Sequence, residues 1–403
     1  MNILLLNQFF YPDVAPTGQL MLDLAEDLAA QGVKVTVVAS TSSYASPRCT
    51  FPKREAYRGI SIYRTGATNF GRRILWGRLL DYLSFFATAG LKVLRLPRPD
   101  VVITLSTPPW LSLLGLLLQA VKGTKWVYWV QDIYPDVGIA VGILKRKSLT
   151  VRCLRWVSTV SFAKADHVVV LSELMARHVL AKGGVKERIT IIPNWADGEE
   201  IQPIAREANG FREYYGLQGR FVILYSGNMG HGHDFSTVLE SAKAFREDPL
   251  IVFVFIGDGP KKAAVHAFTD RHGLENIRFL PYQERAALRQ SLSAGDVHLV
   301  SLKEGLEGLI VPSKVYGIMA AGRPFIYIGP EHGEIGELIR DARCGFVVRV
   351  GDVGSLIGAI QTLAHDETLR EEMGRRARSY FERFFDRRIA TEQFWHLLNG
   401  LIR

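Results

Sequence analysis

Residues 221–234 read Phe-Val-Ile-Leu-Tyr-Ser-Gly-Asn-Met-Gly-His-Gly-His-Asp. The aliphatic run Phe221–Ser226 predicts a strand, and the three glycines behind it predict a tight connection. A helical pattern at 235–245 and a second aliphatic run at 251–256 follow. This β-loop-α-β order is a repeat of the N-terminus. There 2–7 (NILLLN) is followed by a Pro/Gly loop, an amphipathic pattern over 19–31 closed by Gly32, and the strand pattern 33–39. Aliphatic runs recur at 101–105, 126–130, 167–171 and 189–192, and after the restart at 279–280, 297–301, 324–328 and 345–348. Strands alternating with helix-length segments predict parallel sheets covered on both faces. The chain therefore reads as two doubly wound α/β domains in tandem, 1–195 and 196–385, joined at the loop Pro193–Gly198. A charged, aromatic helical stretch, 366–403, closes it.

Length and composition agree: 403 residues give a prior of two or three domains, and 48% hydrophobic with 22% charged excludes a disordered chain. The net charge of +9 is unevenly placed. Residues 1–196 carry 24 basic and 12 acidic side chains (+12), and 197–403 carry 25 and 28 (−3). Such asymmetry points to an anionic partner for the first half, or to solubility alone. Cys49, Cys153 and Cys344 form neither a disulfide framework nor a zinc-ligand pattern. The N-terminus lacks a basic region and a small-residue cleavage site, and the longest apolar run, 109–121, is too short to span a bilayer. A cytoplasmic protein is expected, soluble or lying on a membrane.

In open parallel sheets, ligands bind beyond the carboxyl ends of the strands, and two such domains facing each other would make a cleft. Four connections at those ends could carry chemistry. Thr17 and Gly18 stand before the first helix, where free N–H groups favour an anion; an ordinary βα turn is the plain alternative. Gly227, Asn228, Met229, Gly230 and His233 offer the same in the second half, and the His-Gly-His pair has no partners for a metal site. Lys314 follows Pro312-Ser313 in a helix's first turn, where it opposes the dipole unless an anion lies nearby. Gln131 and Asp132 sit at the end of the run 126–130, although Asp132 could equally cap the next helix. The sequence has no GxGxxG and no GxxxxGK[ST], so dinucleotide and P-loop readings fall away.

Taken in order, NILLLNQFFYPDVAPTG, VQDIYPDVGIAVG, IIPNWAD, YSGNMG, FIGDGP and VPSKVYGIMAAGRPF resemble retaining glycosyltransferases of family 4, which have the GT-B fold. The likeness is strongest to bacterial colanic-acid and O-antigen (fucosamine-type) surface-polysaccharide enzymes. It implies two Rossmann-like domains, with a nucleotide sugar, UDP-linked by expectation, bound mainly by the second, and a final helix 386–403 packing back on the first. It implies a donor diphosphate held by the Gly18 loop, Asn228 and Lys314. It places the nucleobase near Gly257, Asp258, Pro281 and Tyr282, and the sugar before Gln131 and Asp132. Glu307, Leu309, Ile310, Val311 and Ser313 fall in the donor loop. Asn228 and His233 stand where relatives carry Arg and Lys, and Leu309 and Gly317 where they carry a Glu-x7-Glu pair. The expected chemistry uses neither metal nor cofactor.

The acceptor, lipid-linked or saccharide, is assigned to the basic first domain. Arg72, Arg73, Trp76 and Arg78, with Ser106 and Thr107, are candidates for acceptor or membrane contact. Basic stretches with aromatics at 70–98 and 145–164 suit an anionic membrane surface, and the inner face of the cytoplasmic membrane is the expected location. Nucleic acid is not expected. A nucleotide-sugar 2-epimerase and a non-catalytic nucleotide-sugar-binding protein remain as alternatives.

Overall fold

The computed structural model describes residues 1–43, 50–66, 68 and 75–402. The chain forms two compact units, one of Met1–Pro193 with Gly308–Ile310 and Ile389–Arg403, the other of Asn194–Glu307 with Val311–Arg388.

The first unit is built on β1 (Asn2–Leu6), β2 (Lys34–Ser40), β3 (Arg54–Tyr57), β4 (Ile60–Thr65), β5 (Val101–Leu105), β6 (Lys125–Trp129), β7 (His167–Val170) and β8 (Ile189–Ile191). Their order is β3-β4-β2-β1-β5-β6-β7-β8, parallel throughout except at β3–β4. The periodicity above misses the β3–β4 hairpin, because its strands are short and mostly polar. Its turn, Arg58-Gly59, has φ of 45° and 81°, the doubly positive geometry that right-twisted hairpins require. Phe394 of the helix Arg387–Ile402 is fully buried and meets Trp129 edge-on, with ring centroids 4.9 Å apart.

The second unit has β9 (Phe221–Ser226), β10 (Ile251–Ile256), β11 (Ile277–Leu280), β12 (Val297–Ser301), β13 (Phe325–Ile328) and β14 (Gly345–Val348). All are parallel, in the order β11-β10-β9-β12-β13-β14. Alternate residues feed separate cores on the two faces: Ile223, Tyr225, Phe253 and Phe255 on one, Val222, Leu224, Val252 and Val254 on the other. This is why the runs are continuously apolar. The register sets Ser226 beside Ile256 and Ile256 beside Leu280, so the loops leaving these strands emerge at one edge.

The join is not an exposed linker. Asn194 and Trp195 are buried, and Ala196 pairs with Asp386, while Asp197 accepts from Arg387 at 3.1 Å.

Candidate functional site

The second unit's carboxyl edge is assembled by backbone. Gly227 N–H donates to Ile256 O (2.9 Å), Met229 N–H to Asp258 O (2.8 Å) and Lys261 N–H to Met229 O (3.0 Å). The loops after β9 and β10 are thereby zipped together. A Cβ on Gly257 would lie 2.2 Å from Gly227 O, and its φ of 133° excludes other residues as well. The Tyr225 hydroxyl donates to Asn228 O at 2.8 Å, fixing the bend at which the buried Met229 turns inward.

Lys314 opens the helix Lys314–Ala320 and extends across the end of β9. Its ammonium lies 3.6 Å from the centroid of the Tyr225 ring, and a Cβ on Gly227 would sit 3.4 Å from its Cε. The residue as a whole is half-buried, yet its Nζ is enclosed and, among the described residues, has no hydrogen-bond partner. Burial holds it well below the usual lysine range. A cation stripped of water without a countercharge is costly, and an arriving anion removes that cost.

His233 is placed differently from what its position in the sequence suggests. Its Nδ1 lies 2.5 Å from Ser301 O. Burial, then the cations of Lys314 and Lys303, push its pKa down to about 3. A neutral imidazole donating to a carbonyl cannot replace a lysine. The further positive charge comes from residues the motifs do not single out. Lys303 follows β12, donates its N–H to Gly232 O (2.9 Å), and has its amine within electrostatic reach of the Lys261 ammonium. Burial and the Lys261 charge both hold Lys303 below its ordinary range, against the pull of Asp234. Asp234 is itself engaged, accepting from Thr237 N–H at 3.0 Å and from the Ser236 and Thr237 hydroxyls. Lys261 carries the signal that found Lys314, a cation at the start of a helix, here Lys262–His272.

Of the remaining positions in this unit, Asp258 is exposed, accepts from Gly259 N–H (2.8 Å) and lies 3.9 Å from Lys262. Pro281 and Tyr282 follow β11, with Tyr282 partly exposed. Gly230 continues the loop after Met229, and Val311 and Ser313 lead into the Lys314 helix. Glu307 packs on Gly333, and with Glu334 it raises the pKa of Tyr327 beyond what burial alone does.

In the first unit, the Ser106 hydroxyl accepts from the N–H groups of both Gln131 (2.9 Å) and Asp132 (3.0 Å). Thr107 donates to the Asp132 carboxylate at 3.3 Å. Leu309 O accepts from Ile133 N–H (2.9 Å), and Ile310 forms an antiparallel bridge with Asp132. Six of the chosen residues therefore meet here. Thr17 and Gly18 lie inside the first helix, Pro16–Ala30, rather than before it, since Pro16 takes its first position. A Cβ on Gly18 would be 3.0 Å from Phe9 O, so close packing explains this glycine. Arg72 and Arg73 lie outside the described residues, and Trp76 and Arg78 are described by helical backbone alone. Among the described residues no group of three or more His, Cys, Asp and Glu could hold a metal ion.

Two families match in chain order: the glycosyl transferase 4-like domain over residues 17–195 and glycosyl transferases group 1 over 211–380. WbjE of Pseudomonas aeruginosa, named as a glycosyltransferase, is 30% identical, with 74% of each chain covered. WcaI of Escherichia coli K12, named as a colanic acid biosynthesis glycosyl transferase, is 28% identical over 99% of this chain and 100% of its own. Among solved structures, HepE of Anabaena in complex with UDP and glucose superposes with a TM-score of 0.76 at 16% identity, covering 99% and 100% of the two chains. With the paired Rossmann-like fold, both family matches and the identity to WbjE in hand, the chain belongs to the group 1 glycosyltransferases of the GT-B fold.

Proposed function

We propose that this glycosyltransferase takes a sugar from a UDP-linked donor, with retention and without a metal, and passes it to a lipid-linked or saccharide acceptor in bacterial surface-polysaccharide assembly at the inner face of the cytoplasmic membrane. The observation that carries the reading is the enclosed ammonium of Lys314 at the end of β9, which has no hydrogen-bond partner among the described residues. A diphosphate supplies the countercharge it lacks. The Lys303–Lys261 pair is a second concentration of positive charge on the same unit, and its repulsion is relieved by an anion too. HepE, of the same fold, was solved with UDP and glucose, and WcaI is named for colanic acid, which is the support for donor and pathway.

In this mechanism the leaving diphosphate is stabilised as charge develops on it, by Lys314 and by neighbouring backbone N–H groups held in place beforehand. The acceptor hydroxyl is then placed on the face the phosphate leaves. No side chain has to act as a nucleophile. His233, neutral, serves to hold the Ser301 carbonyl and leaves the cationic role to the lysines. In this reading Asp258, Pro281 and Tyr282 border the base.

Lys314→Ala is expected to lower kcat by about 10²–10³ while circular dichroism stays unchanged. Transfer near the parent rate would overturn the assignment. Activity is expected to survive dialysis against EDTA; loss restored by Mg²⁺ or Mn²⁺ would remove the metal-free mechanism. The anomeric configuration of the product, read by NMR, tests retention.

A further inference from the structure

The first unit carries a surface that its sheet and core do not explain. The helices Leu75–Arg95, Ser112–Lys122 and Leu149–Lys164 form one layer, the middle one touching both others. On the first of them Leu80, Leu83, Leu91 and Leu94 are all exposed. Their spacing of 3, 8 and 3 residues puts them within one narrow stripe at 100° per residue, with exposed Ala87 between them. The other edge of the layer repeats the arrangement. Leu149 (79% exposed), Arg152, Cys153 and Trp156 (58% exposed) lie at i, i+3, i+4 and i+7. Exposed Ile143 precedes them, and exposed Val121 lies at the end of the middle helix. Large apolar side chains left in solvent along a helix layer mark a contact surface.

Charge decides its occupant. Between Val137 and Ala165 the chain has no Asp or Glu, and Lys145, Arg146, Lys147, Arg152 and Arg155 are all exposed. Lys92 and Arg95 close the leucine-striped helix, in which Asp81 is the single acid. A second copy of the chain across a two-fold axis would set two such cationic faces against each other. A polynucleotide would neutralise the charge but leave the leucines in water. We infer that the outer face of this layer docks on a bilayer leaflet bearing anionic phospholipid, with Trp156 and Leu149 seated at the headgroup boundary and the flanking Lys and Arg on the phosphates. Among the described residues no helix is long and apolar enough to cross a membrane, so the contact is peripheral. The inference rests on the proposed function for its purpose, bringing the enzyme to a lipid-linked acceptor.

The test is flotation of the full chain with phosphatidylcholine vesicles containing 0 or 30% phosphatidylglycerol, at low and high salt. Binding only to the anionic vesicles, weakened by salt, is expected. L149S/W156S and, separately, K145S/R146S/K147S should each lower partitioning at least ten-fold. These positions are exposed, so thermal stability should stay unchanged. UDP-induced thermal stabilisation, followed on the same samples, should be the same in both variants. Absence of UDP stabilisation in the parent chain would count against the donor reading and leave the surface assignment standing. No binding to anionic vesicles at low salt, or binding by both variants at the level of the parent chain, overturns the surface assignment. So does a concentration-dependent dimer in sedimentation velocity that L149S/W156S abolishes.

Discussion

Lys314 and His233 are opposite solutions to burial. The lysine's ammonium is enclosed over the Tyr225 ring with no hydrogen-bond partner among the described residues, and the histidine sheds its proton and donates to a carbonyl. His298 follows the histidine's course, with Nε2 2.8 Å from Leu292 O and burial pushing its pKa down to about 3. For both histidines the unfolded state binds more protons than the folded state between pH 6.5 and about 3, so stability falls as pH drops through that window. By pH 5.5 each is expected to have lost about 1 kcal/mol relative to neutral pH. Urea midpoints at pH 7.5 and 5.5 test this, and H298Q should flatten the difference by its share whatever it does to stability itself. Lys314, also depressed, has the same sign at higher pH: its desolvation cost diminishes as pH rises toward its unfolded value. K314M is therefore expected to raise the Tm of the ligand-free protein at neutral pH while abolishing the stabilisation by UDP, a pair of shifts that differential scanning fluorimetry reads together. Lys314 could be found in the sequence because a cation at a helix start is anomalous. Lys303 could not, since only the fold brings its amine to Lys261.

At the scale of elements, hydrophobic periodicity gave the parallel strands because each is buried on both faces and therefore apolar in every register. It failed where that condition failed. β3 and β4 pair antiparallel with alternate residues facing solvent, and the Arg58-Gly59 turn was the available signal. A Cβ on Gly59 would meet only Ala29, at 4.0 Å, so G59A should cost about 1 kcal/mol through its positive φ alone. The reverse change is available at Arg343, which ends the helix Glu334–Ala342 with φ of 49° while exposed. R343G is expected to add about 0.5–1 kcal/mol, because glycine is the usual occupant of a left-handed helix end. Chemical denaturation of the two variants should move in opposite directions. The site was legible where strand ends define it. The first helix begins three residues ahead of its apolar pattern, because Pro16 starts it and so takes Gly18 inside.

For the whole molecule, the split of +12 and −3 falls close to the division between the units, and both family matches respect it. The C-terminal segment does not. Phe394 and Leu398 are fully buried in the first unit although they follow the second in the chain. F394A removes a ring held against Trp129 and should cost about 3–5 kcal/mol, visible as an early urea transition of the first unit with the second unit's transition unmoved. The same feature sets an order on biosynthesis. Pro193 leaves the ribosome some 200 residues before the segment that completes its unit, about 10–40 s at ordinary elongation rates. Throughout that interval Trp129 lacks the aromatic partner that Phe394 later supplies, so the first-made unit is the last to be finished.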